Sequence, residues 1–152
     1  MTGETEFDAR IGTVIQDFDV EVERGLLRLF ARAIGETDPI FFDDEAARKA
    51  GYRGVVAPPT YLYCLSEDVP DPNAAIHAFG LDPADCVHAE QEIEQLRPIC
   101  AGDRLHGETR IEDAFEKKGG LLKFVVTATR FTDPAGMLVG RLRTTIIASE
   151  AD

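Results

Sequence analysis

Basic residues are the scarce component of this chain. Sixteen Lys and Arg stand against twenty-eight Asp and Glu in 152 residues, a formal net charge of −12. That balance argues against a surface that gains affinity by neutralising nucleic-acid phosphates or by docking on anionic lipid, so neither nucleic acid nor membrane is expected as a partner. An anionic small ligand would need a locally basic mouth. Cysteine is scarce as well. Cys64, Cys86 and Cys100 are odd in number and widely spaced, which fits neither a disulfide framework nor a zinc site; they read as small core hydrophobes or idle thiols. The three histidines, His77, His88 and His106, form no cluster with carboxylates at ligand spacing, so no metal is expected. Long apolar runs are missing too. The charge-free stretch over residues 54–66 falls short of the roughly 20 residues a spanning helix needs. The opening MTGETEFDAR interrupts any apolar h-region with charge, so a cytoplasmic protein is expected.

What is present is a normal apolar fraction, 44%, enough for a real core. A chain of this length is usually one domain, and no repeat, low-complexity tract or linker divides it, so a single domain over residues 1–152 is expected. Residues 23–34 place Leu26, Leu27, Phe30, Ala31 and Ile34 at helical spacing, and Gly35 suits the end of that helix. A second helix is predicted over residues 43–50, with Asp43 or Asp44 capping its first turn and Gly51 closing it. An irregular segment, residues 36–42, lies between the two. Pro58 and Pro59 precede the apolar run 60–65, which reads as a buried helix begun through proline and ended before Pro70 and Pro72.

The second half changes character. Residues 87–95, 105–113, 121–132 and 137–148 read as strands, with Gly119, Gly120 and the sequence DPAG over 133–136 as hairpin signals. Alternation is clearest at Phe124, Val126, Ala128 and Phe131. Helices followed by a run of strands predict an α+β domain, with helices on one face of an antiparallel sheet.

Two stretches carry a resemblance. Residues 30–65, FARAIGETDPIFFDDEAARKAGYRGVVAPPTYLYCL, and 88–105, HAEQEIEQLRPICAGDRL, resemble the MaoC-like dehydratase family, in particular its MaoC dehydratase N-terminal or FAS1-like dehydratase half-domains. The resemblance implies a hot-dog fold, a central helix wrapped by a curved antiparallel sheet. It also implies an acyl thioester ligand carried on coenzyme A or acyl carrier protein, with no other cofactor. Catalytic members add water reversibly to a trans-2-enoyl thioester to give the (R)-3-hydroxyacyl product.

That chemistry has fixed needs. Water must lose a proton as it attacks C3, C2 must gain one, and the thioester carbonyl must be polarised as enolate charge develops. The family meets them with a Gly-Asp-x-Asn-Pro-(Leu/Ile)-His motif and a backbone N–H at a glycine where the central helix begins. Here Gly35, Pro39 and Ile40 match, Glu36 replaces the Asp, Asp38 the Asn, and Phe41 stands at the His position. Phe42 follows it, so a slip of one does not restore the imidazole. Pro59 or Pro58 falls at the helix-start glycine, and neither has an N–H. The chain is therefore expected to be a non-catalytic half that shapes the acyl tunnel, paired with itself or with a catalytic MaoC-like chain.

Residual roles follow from that reading. Glu36 remains the candidate acid or base, and Asp38 the second carboxylate unless it serves only to bond a turn N–H. Phe41, Phe42 and Tyr52 are candidate acyl contacts, with core filling as the alternative. Pro59 and Thr60 stand at the helix start, and His88 opens a strand near the seam of a hot-dog pair. Arg48, Lys49, Arg53, Arg97 and Arg104 are candidates for the carrier's phosphates or ordinary solvated charge. Two other functions stand beside the hydratase half: a hot-dog thioesterase in which Glu36 activates water, and a non-enzymatic acyl-thioester binding protein.

Overall fold

The strands fold as one five-stranded antiparallel sheet in the computed structural model, which describes residues 7–149. Strand β1 (Val14–Glu21) lies at one edge and β2 (Cys86–Gln95) at the other; β3 (Arg104–Lys117), β4 (Leu122–Thr132) and β5 (Leu138–Ser149) lie between, in the order β1-β3-β4-β5-β2. The two hairpins turn where the sequence supplies turn chemistry. Lys118, Gly119 and Gly120 take φ of 53°, 69° and 95° between β3 and β4, a region open chiefly to glycine. Between β4 and β5, the Asp133 carboxylate accepts from the N–H groups of Ala135 and Met137 at 3.0 and 2.9 Å.

Among the described residues the α-helices are α1 (Arg24–Ala33), α2 (Asp44–Lys49), α3 (Tyr61–Glu67) and α4 (Ala74–Ala78); α1, α3 and α4 pack on the sheet, and α2 packs on the loop residues Val56 and Cys100. Helix α1 ends at Gly35, whose φ is 79°. Asp43 caps α2 by accepting from Ala46 N–H at 2.7 Å. The apolar face of α1 is narrower than its spacing suggests, since Leu27 and Ala31 are buried while Leu26 and Ile34 are exposed. Helix α3 is the central one. Its Tyr61, Leu62 and Leu65 pack with Leu105, Phe131, Val139 and Leu142 of the sheet and with Leu27 of α1. A second apolar cluster joins Ala75 of α4 to Ile111, Ala114 and Val125.

Two elements escape the sequence reading. β1 is unanticipated because Gln16 interrupts its inward row of Phe18 and Val20, and α4 because the prolines around it read as loop. Of the alternation expected at Phe124, Val126, Ala128 and Phe131, only Phe131 lies on the inner face. Val125, Thr127, Thr129 and Phe131 face the helices, with Val126 buried on the other side; threonines counted as outward residues mislead a period-2 reading. With α3 seated on the concave face of an antiparallel sheet, the molecule has the α+β hot-dog fold. Among the described residues no helix is long and apolar enough to cross a membrane.

Candidate functional site

The altered motif folds as a tight loop between α1 and α2. Glu36 N–H bonds back to the Ala31 carbonyl at 2.9 Å, which keeps this half-buried residue against the end of α1. The Asp38 carboxylate accepts from Ile40 N–H at 3.0 Å and so caps the 3-10 turn Pro39–Phe41. One of its two oxygens is thus used by the backbone. Phe41, at the imidazole position, packs with Ile40 and Tyr52 against a small cluster of Ala47, Val56 and Cys100. Phe42 is half-buried, and its carbonyl accepts from Arg28 Nε at 2.8 Å. Pro58 is buried at the start of α3, while Pro59 and Thr60 are exposed there. The structure thus brings Phe41 and Tyr52 together. It does not bring His88 to them.

A cleft of about 730 Å³ opens beside Tyr52, where Arg53, Arg97 and Arg104 converge from three segments. Arg53 is held by both carboxylate oxygens of Asp103, and Arg104 lies 3.6 Å from Glu21. Arg97 has no ion-pair partner among the described residues. Arg48 and Lys49, in the last turn of α2, lie outside this cleft.

His88 belongs to a separate cavity of about 240 Å³, at the far end of α3. The strand pairings Gln16↔Thr109, Thr109↔Thr129, Thr127↔Thr144 and Gln91↔Thr144 lay a polar band across the inner face of the sheet, between the two apolar clusters. The Thr109 and Thr129 hydroxyls bond each other at 2.9 Å, and Thr144 Oγ1 donates to Gln91 Oε1 at 2.9 Å. Thr127 is 7% exposed, and its hydroxyl has no hydrogen-bond partner among the described residues. Over this floor stands the last turn of α3. The His88 ring stacks on Tyr63 with centroids 5.5 Å apart. Partial burial lifts the Glu67 carboxyl above the usual carboxylate range, an effect that neighbouring His88 partly offsets. Sequence reasoning missed the threonines and Glu67. The visible signal was hydroxyls at alternate positions in strands that otherwise read as core.

A central helix on a curved antiparallel sheet defines a hot-dog protein, and comparison with known proteins makes this specific. Residues 9–141 match the FAS1-like dehydratase domain region. A UPF0336 protein of Saccharopolyspora erythraea is 37% identical over 128 residues, which cover 84% of this chain and 81% of the relative. Among solved structures, the C-terminally truncated HadBC (3R-hydroxyacyl-ACP dehydratase) complex from Mycobacterium tuberculosis superposes with a TM-score of 0.76 at 28% identity, over 95% of this chain and 99% of that chain. A MaoC-like dehydratase superposes with a TM-score of 0.75 at 30% identity, over 95% of this chain and 43% of that one. The chain belongs to the FAS1-like dehydratase domain family, within the MaoC-like hot-dog proteins.

Proposed function

We propose that this chain is the supporting, non-catalytic half of an (R)-specific enoyl-thioester hydratase or 3-hydroxyacyl-thioester dehydratase. The observation that carries the reading is Phe41, packed into the cluster around Ala47, Val56 and Cys100 where the reaction requires an imidazole. One Asp38 oxygen serves as the cap for Ile40 N–H, and Pro58 and Pro59 offer no N–H to polarise a thioester carbonyl. The proton transfers and the carbonyl donor therefore come from a partner hot-dog chain, while this half contributes wall and binding surface. Arg97 at the open cleft suits the anionic carrier of the acyl group.

The free edge of β2 favours a different chain over a second copy. Glu92 and Glu94 sit on the outer face beside Arg143 and Arg141, at 3.8 and 3.1 Å, and Glu90 shares that face opposite Thr145. A two-fold axis perpendicular to the sheet keeps outer faces outer, so in self-pairing along this edge with the axis between residues 90 and 94 the acidic row meets its own copy. Like charges directly opposite destabilise a strand pair. A partner strand with Lys or Arg on that face fits instead.

The test is an ultraviolet assay of enoyl loss with crotonyl-CoA. The chain alone is expected to turn over negligibly, and co-expression with a catalytic MaoC-like chain from the same source is expected to give an active heterodimer. Turnover of order 10 per second by the chain alone would overturn the proposal. Hydrolysis of saturated butyryl-CoA would point to a thioesterase.

A further inference from the structure

The cavity at the end of α3 has a chemistry that does not suit a saturated chain. Its floor is hydroxyl-bearing: Thr109, Thr127, Thr129 and Thr144 reach it from three adjacent strands, and Tyr63 and Glu67 stand at its rim. Two of the threonines satisfy each other and a third satisfies Gln91, which fixes their orientation before anything binds. Thr127 differs, because it is more than nine-tenths buried and its hydroxyl lacks a partner among the described residues. A methylene chain laid on this floor would strip that hydroxyl and the rim groups of water without replacing the lost hydrogen bonds, a cost that selects against hydrocarbon. Charge narrows the ligand further. No Lys or Arg lines the cavity, and its one imidazole, His88, already stands beside the Glu67 carboxyl, so an anionic tail would be buried next to a carboxyl with no Lys or Arg to pair it.

We infer that this cavity binds the distal end of a neutral, oxygen-bearing acyl group, a hydroxyl or carbonyl tail, and that Thr127 is the residue that selects it. The cavity is small, about 240 Å³ against about 730 Å³ for the arginine cleft, which suits a short tail. The word acyl rests on the hydratase-half reading; the preference for oxygen rests on the cavity alone. The two are tested apart, since crotonyl-CoA, the hydratase probe, carries no oxygen at its tail.

A matched pair of probes decides the question. N-acetylcysteamine thioesters of 5-hydroxypentanoate and hexanoate differ by a hydroxyl in place of the terminal methyl. Both are titrated into the full chain and followed by the methyl resonances of threonine and isoleucine. The hydroxylated probe is expected to bind about five- to tenfold more tightly, as one well-made hydrogen bond allows, with shifts at Thr127, Thr129, Thr144 and Ile146. Thr127→Val is expected to abolish the preference. Thr145→Val, equally buried at 7% exposure but on the opposite face of β5, is expected to leave it intact and so controls for damage to the sheet. Equal or tighter binding of the hexanoyl probe would overturn the inference. So would a preference that survives Thr127→Val, shifts confined to the Arg97 cleft, or no binding of either probe at millimolar concentration.

Discussion

His106 shows how single side chains on this acidic surface find company. Its Nδ1 lies 2.9 Å from an Asp19 oxygen and its Nε2 3.5 Å from Asp17. The hydrogen bond to Asp19, helped by the charges of Asp17, Asp19 and Glu108, holds the imidazole above its ordinary value. A folded-state pKa above the unfolded one means that the stabilisation is fully present below about pH 6.5 and fades as pH rises through the folded value. The group is exposed, so the effect is small and weakened by salt. An NMR titration should find His106 above the ordinary histidine value, and Asp19→Asn should bring it down. Glu67 illustrates the opposite balance. Its raised carboxyl costs stability as pH climbs from the unfolded value, about 4.3, through the folded one. Glu67→Gln should flatten that part of the pH–stability profile in thermal melts. On the proposed reading, Arg97→Glu at the cleft is expected to raise KM for a coenzyme A thioester in the complex with a catalytic chain and leave kcat close to unchanged, since a carrier held there would bind alike in ground and transition states.

The elements were legible in proportion to how local their causes are. Asp43 and Gly51 announced α2, and the paired prolines announced α3, because caps and breakers act over a few residues. The altered loop could be read residue by residue for the same reason. β1 and the threonine band could not, because which side of a strand faces the helices is decided by pairing partners far away in the chain. Thr127 reads as a surface residue until its register against Thr144 and Ile111 is known. The contact of α3 with the sheet is equally non-local. A Cβ at Gly140 would lie 2.7 Å from Leu62 Cδ1 and 2.9 Å from the Glu94 carbonyl. The absent side chain therefore lets the central helix, β5 and the edge strand β2 approach one another. Gly140→Ala should destabilise by ~1–3 kcal/mol, the usual cost of overpacking, measured by urea denaturation.

On the scale of the whole molecule, one more property follows from the strand order. The middle of the sheet is a meander: Lys117 pairs with Leu122 across one tight turn, and Thr132 with Leu138 across the next. Its flanks are remote in sequence, with Val20 pairing with Leu105 on one side and Cys86 with Ala148 on the other. Closing a long loop costs entropy before any contact repays it. The meander is thus expected to form in the folding transition state and the two borders to zip up afterwards. Conservative truncations in β4, such as Val125→Ala, should slow refolding in stopped-flow experiments, while Val20→Ala in β1 should chiefly accelerate unfolding. Synthesis runs the other way. The ribosome delivers β1 and helices α1 to α4 before β3, β4 and β5 exist, so the nascent chain holds Leu27, Leu62 and Leu65 without most of their packing partners until those strands emerge, the interval in which it most needs a chaperone.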